Sequence, residues 1–265
     1  MNDPRTANHN RSLIAFFILA YVFSWSIGVP LALAHQSFIP QILPKWTHYL
    51  VAFGPLLSAL LVTGFTRGAP GLKNLARRMV RCACPKWWFV AFSPLILGYL
   101  ILLIQNLFSA EQLRFWELGS VNFLGELGIL ALPLWIFTFG FGEETGWRGF
   151  ALPVLQNKQS AFSATMILAG LWALWHLPQF FYVFELSITT VGWLVGLFAG
   201  AVFLTWFYNS SGGSVLMVAI WHGCFNFVSA STAETGVLPF AISAFVIFLA
   251  VTIVRHTHPK SMVSI

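Results

Sequence analysis

Charge is scarce in this sequence. Asp, Glu, Lys and Arg make up only 8% of the 265 residues, against about 25% in a soluble domain, so the chain cannot cover a water-facing surface of its own. With 58% apolar residues and a mean hydropathy of +0.78, that scarcity excludes both an ordinary soluble enzyme and a disordered chain. Cysteine is sparse too: three residues without a C-x-x-C spacing cannot build a disulfide framework. Strict alternation of apolar and polar residues is also missing, which excludes a β-barrel. What remains is a series of continuous apolar runs, and in lipid such runs satisfy their backbone polar groups only as helices.

At about 20 apolar residues per crossing, the runs give eight candidate spans: residues 13–34, 46–65, 87–108, 123–142 or beyond, 161–184, 188–208, 215–233 and 238–254. The predicted fold class is all-α, an integral membrane bundle of about eight transmembrane helices. No repeat or linker divides the chain, so residues 1–265 form a single multi-pass domain, with a motif-bearing core at about 123–233. The first run follows Arg5 and Arg11 and ends at Ala32-Leu33-Ala34, like a signal peptide. Its length exceeds an ordinary signal segment, so a retained helix is expected.

The formal charge of +6 does not point to nucleic acid, because the basic residues sit in short gaps between apolar runs. With the N-terminus inside, twelve of the 14 Lys and Arg fall on the inner side and only Lys45 and Arg114 outside. Glu111, Glu117, Glu185 and Glu234 fall on or near the outer side. The positive-inside rule therefore predicts a cell-membrane protein with both termini cytoplasmic. The basic stretch from Arg67 to Lys86 reads as a topology anchor in an inner loop, carrying Cys82 and Cys84 as free thiols.

Ionisable residues inside spans are costly and mark function by default. Here they are Glu126, Glu143, Glu144, Arg148, His176 and His222, with Asn226 as a polar companion. Glu126 lies near a span end, where it reaches the interface. Glu144 and Arg148 are i,i+4 neighbours and can pair. Glu143 diverges from that pair by about 100° and faces something else, either as an acid or base or as part of a buried ion cluster. A hairpin bent in the polar turn at 156–160, with its centre between Gln159 and Ser160, leaves Glu143 and His176 equally far from that centre in sequence, which places both at one depth on facing helices, roughly 24 Å from the turn if both arms are straight. His222 and Asn226 share one helix face. They can supply oxyanion donors or interhelical glue. Trp147, Trp172, Trp175 and Trp221 flank these groups as core packing or as an apolar substrate wall.

Together, E-E-x-x-x-R at 143–148, the histidine at 176 and H-x-x-x-N at 222–226 resemble the CPBP family of intramembrane proteases, which contains CAAX prenyl endopeptidases and proteins linked to bacteriocin processing. The resemblance covers residues 139–228. It implies eight transmembrane helices around a cavity open to the cytoplasm, Glu143 as the water-activating base assisted by His176, Glu144 as the structural partner of Arg148, and His222 with Asn226 as the oxyanion pair. Trp172 departs from the family pattern, which usually has Phe there. The first 120 residues carry no matching motif.

The expected reaction is hydrolysis of a peptide bond in a membrane-associated peptide or protein by glutamate- and histidine-activated water. A metal-free site is favoured. Zinc on Glu143, His176 and His222 is the alternative, although H-E-x-x-H is absent. Competing readings are a catalytically silent immunity or scaffold protein of the same fold, or a transporter using the same groups as a proton relay.

The charge sorting has a direct test. A membrane-impermeant thiol reagent applied to intact cells should leave Cys82 and Cys84 unmodified, and should label both in inverted vesicles. Labelling from outside would reverse the orientation.

Overall fold

The computed structural model describes residues 4–108, 114–115, 120–121, 123–184, 186–230 and 237–263. It is an all-helical membrane bundle. Five described helical stretches are long and apolar enough to cross a bilayer: Asn10–His35, Lys45–Met79, Ala161–Phe181, Thr189–Ser210 and Leu238–His256. The first lies within α1 (Pro4–His35). The second joins a 3-10 turn (Lys45–Thr47), α2 (His48–Val51) and α3 (Phe53–Met79). A bent pair, α4 (Pro85–Ala91) and α5 (Ser93–Phe108), meets at 51°. A composite fourth pass follows, then α9 (Ala161–Trp175), α10 (Thr189–Ser210), α11 (Val215–Ala230) and α12 (Val237–His256). Apolar side chains such as Ile14, Phe65, Ile104 and Phe248 are left exposed, as a lipid-facing surface requires.

Four boundaries differ from the sequence expectation. The fourth pass starts at Ala131, because β1 (Ser120–Val121) and β2 (Gly125–Glu126) form a small antiparallel ladder before it, followed by a 3-10 turn. The third pass is bent around Phe92 rather than straight. The stretch from Arg67 is largely helical rather than a loop: Gly68 adopts φ 59° and ψ −159°, Pro70 restarts the helix, and α3 continues to Met79. The fifth pass ends its α-helix at Trp175, two residues before Leu177-Pro178 opens a 3-10 turn (Leu177–Phe181). Glu111, Glu117, Glu185, Glu234 and residues 231–233 of the seventh expected span lie outside the described residues, as does the side chain of Glu126.

The fourth pass is the central element. It runs through α6 (Ala131–Trp135), a π-helical segment (Ile136–Glu143), α7 (Glu144–Gly146), a second π segment (Trp147–Ala151) and α8 (Leu152–Gln156). Residues 142–152 are consecutively buried, so this helix has protein on every side. Its glycines make that possible. A Cβ at Gly140 would lie 2.4 Å from the Ala219 carbonyl oxygen of α11, and one at Gly146 would lie 2.5 Å from Pro55 of α3. Only bare backbone allows helices to approach this closely in a membrane interface.

The expected polar turn follows: α8 stops at Gln156, and the Ser160 hydroxyl caps α9 by accepting the Ser163 N–H at 3.1 Å. This turn shares one end of the bundle with both terminal segments. Lys158 Nζ donates to Asn10 Oδ1 at 2.7 Å, and Ala161 N donates to the Lys260 carbonyl at 3.0 Å. Arg81 reaches Gly212 at the same end, and Ser214 Oγ donates to the Arg81 carbonyl at 2.6 Å.

Close approach is testable. Gly140→Ala forces a methyl group against backbone and should cost about 1–3 kcal/mol, read as a lower melting temperature in detergent. Gly170→Ala, whose Cβ would meet nothing within 4 Å, is the control and should not destabilise.

Candidate active site

The centre of the bundle holds four charged or chargeable groups with almost no exposure: Glu143, Glu144, Arg148 and His222. Arg148 Nη1 donates to Glu144 Oε1 at 2.9 Å, the i,i+4 pair expected from the sequence. The same oxygen lies 2.9 Å from His222 Nδ1 on α11. One carboxylate oxygen therefore holds both the guanidinium and the imidazole. The guanidinium also lies 4.7 Å above the Trp172 ring, a cation–π contact strengthened by desolvation. Among the described residues, Arg148 Nε and Nη2 and Glu144 Oε2 have no protein hydrogen-bond partner.

Glu143 is held differently. Its Oε2 accepts the Trp172 indole N–H at 2.6 Å and the Trp147 indole N–H at 3.3 Å. Neither donor was anticipated, because the tryptophans read from sequence as packing or as a substrate wall. Oε1 carries no hydrogen bond to a described residue. Trp147 and Trp175 are fully enclosed, a position that suits packing rather than substrate contact. Trp221 turns toward Phe203 and Phe225, with ring centroids at 4.5 and 5.4 Å, and lines a groove with Ser93, Pro94 and Ile242.

His176 caps the end of α9. Its Nδ1 lies 2.7 Å from the Trp172 carbonyl. A carbonyl only accepts, so Nδ1 carries the proton and Nε2 presents a lone pair. His176 makes no direct hydrogen bond to Glu143. Trp172 joins them instead, giving its indole N–H to one and its carbonyl to the other. The fourth pass is not the straight α-helix assumed in the depth estimate. Even so, the Glu143 carboxylate lies level with the last turn of α9. Asn226 lies one turn beyond His222 on α11 and is half-buried, without a hydrogen bond from its side chain to a described residue.

Among the described residues, no three His, Cys, Asp or Glu side chains are grouped to hold a metal ion. One buried imidazole escaped the sequence reading. His48, in α2, lies 3.0 Å from the Tyr182 hydroxyl and packs against Phe139. It sits at the start of an apolar run, and applying the intramembrane-ionisable criterion there would have found it.

Residues 125–228 match the family described as Type II CAAX prenyl endopeptidase Rce1-like. The chain is also similar to the CAAX prenyl protease 2 of Methanococcus maripaludis, 28% identical over 177 residues that cover 60% of this chain and 64% of that relative, less than two thirds of its length.

The buried pair predicts a stability signature. Glu144→Gln strands Arg148 and should cost about 3–5 kcal/mol, whereas Glu144→Gln combined with Arg148→Met should recover much of that loss. Yield and melting temperature of the three proteins report it. A single variant as stable as the wild type would show that the pair does not stabilise the bundle.

Proposed function

From the premise that the motif-bearing core of this chain belongs to the CPBP/CAAX protease family, we propose that the protein is an intramembrane endopeptidase acting on a membrane-associated substrate. The observation that carries this reading is the division of labour between adjacent carboxylates. Glu144 is consumed by Arg148 and His222. Glu143, fixed through Oε2, keeps Oε1 for a water molecule.

In the proposed reaction, water attacks the scissile carbonyl carbon as Glu143 Oε1 takes its proton, with the His176 Nε2 lone pair positioned to assist. The carbonyl oxygen becomes an oxyanion, which Asn226 Nδ2 and the His222 ring meet as donors. His222 gives Nδ1–H to Glu144, so it donates from Nε2 only as imidazolium. In that state two carboxylates, one guanidinium and one imidazolium sum to zero charge. Transfer of the proton from Glu143 to the amide nitrogen then breaks the C–N bond, releasing a carboxylic acid, which keeps the second water proton, and an amine. No step is routed through a metal, because the donor set does not gather around one point.

The bundle end with the basic residues faces the cytoplasm in this reading, following the positive-inside rule. A prenylated C-terminal tail, the chemistry named for the family and for the archaeal relative, is the first substrate to try. A leader peptide or another membrane protein has the same apolar character.

Comparative proteomics of membranes carrying wild type or Glu143→Gln tests the reading. The variant should fold normally and lose about 10²- to 10⁴-fold in turnover. Asn226→Ala should lose about 10²- to 10³-fold in kcat with little change in KM. A strong chelator should leave activity intact. Full activity of Glu143→Gln on a verified substrate would overturn the assignment, and stoichiometric zinc removed together with activity would overturn the metal-free mechanism.

A further inference from the structure

The motifs account for Glu143, Glu144, Arg148, His176, His222 and Asn226, but not for the buried polar pair beside them. His48 and Tyr182 are both almost completely enclosed, and their side chains meet at 3.0 Å between His48 Nδ1 and the Tyr182 hydroxyl. A polar contact buried in a membrane bundle carries a desolvation cost and needs a reason.

Its placement supplies one. Tyr182 terminates the 3-10 turn Leu177–Phe181, and His176 begins it. His48 opens α2, which leads into Ala52. A Cβ at Gly142 would lie 2.7 Å from the Ala52 carbonyl oxygen, so this part of the chain rests directly on the backbone beside Glu143. The His48 ring lies 5.7 Å from Phe139, one helical turn before Glu143. The two imidazoles, His48 and His176, are also near enough to interact electrostatically. A closed path therefore runs from the Glu143 helix across Gly142 to α2, through His48 and Tyr182, and back along the turn to His176. The other link between the catalytic carboxylate and imidazole is Trp172.

We infer that His48 and Tyr182 form a positioning pair, whose hydrogen bond fixes the turn after α9 and thereby holds the His176 ring in register with Glu143. This rests on the proteolytic reading of the site. Neither residue touches the reacting atoms. The pair acts through where it leaves His176, and displacements of about 1 Å at a reacting group can cost 10²-fold in rate.

The test compares Tyr182→Phe, His48→Leu, their combination and His48→Asn in purified protein, with Glu143→Gln as the inactive reference. Tyr182→Phe and His48→Leu should each lower kcat about 10- to 100-fold with KM unchanged. The double variant should be no worse than either single one, because both remove the same bond. His48→Asn keeps a side-chain donor and acceptor near the Nδ1 position and should restore most of kcat. A purely structural pair would instead lower the folded fraction and leave kcat per folded molecule unchanged. That result would overturn the inference, as would multiplicative losses in the double variant or a His48→Asn as impaired as His48→Leu. Should His48→Leu fail to fold, Tyr182→Phe, which removes one hydroxyl, carries the comparison with His48→Asn. An activity-independent arm separates this inference from the proteolytic one. In NMR of histidine-labelled protein, the His176 signal, assigned by His176→Gln, should broaden or split in Tyr182→Phe. If the wild type cleaves nothing while that change occurs, the positioning role stands and the protease reading falls. If the wild type cleaves, Glu143→Gln does not, and the His176 signal is unmoved, the reverse holds.

Discussion

A guanidinium enclosed in the middle of a membrane bundle must be neutralised where it sits, and the arrangement around Arg148 follows from that constraint. Glu144 supplies the counter-charge from the preceding turn, Trp172 supplies a π face from α9, and His222 joins the same carboxylate oxygen from α11. Three separate passes are thus tied to one ion pair. Desolvating such a pair costs as much as its attraction returns, so its value lies in fixing which helices meet and in which register. The glycine contacts at 140 and 146 complete the arrangement by removing the side chains that would hold the helices apart.

The same geometry explains how two adjacent carboxylates serve different ends. In an α-helix, neighbouring residues diverge by about 100°, and because residues 142–152 are consecutively buried both carboxylates stay inside the bundle while meeting different neighbours. Residues Ile136–Glu143 and Trp147–Ala151 are π-helical, and Glu144 opens the short α-helical turn between them. Arg78 Nη1 donates to the carbonyl of Gly149, in the second π segment, at 3.1 Å while also reaching the Tyr208 hydroxyl at 3.2 Å. The basic helix after Gly68 is therefore more than a topology anchor. It also ties α3 to the second π segment of the fourth pass.

Sequence reasoning reaches some of this and misses the rest for identifiable reasons. The apolar runs reveal the passes because lipid leaves the backbone no alternative to a helix. The Glu144–Arg148 pair is legible because i,i+4 spacing survives small changes in helical pitch. The π turns are not legible, since hydropathy responds to burial and not to hydrogen-bond register. The start of the fourth pass is also hard to read: apart from Glu126, residues 123–130 carry no charge to break the apolar run, and Gly125 and Gly128, both at positive φ, mark the boundary through backbone conformation. His48 was within reach and was passed over because it lies close to the end of its run.

The tryptophans show why residue type alone underdetermines a role in lipid. Trp147 and Trp172 have the size and apolarity of packing residues, and they do pack. Yet each carries a single N–H that hydrocarbon cannot satisfy, and each directs it to the same oxygen of Glu143. An indole donor holds a carboxylate without bringing a competing positive charge to it, unlike Arg148 on Glu144. The donor type thus separates the two glutamates: one is locked by a cation, and the other is oriented by neutral groups. The departure from Phe at position 172 falls on this second function, because phenylalanine would keep the ring face toward Arg148 and His176 and remove the shorter of the two hydrogen bonds that orient Glu143.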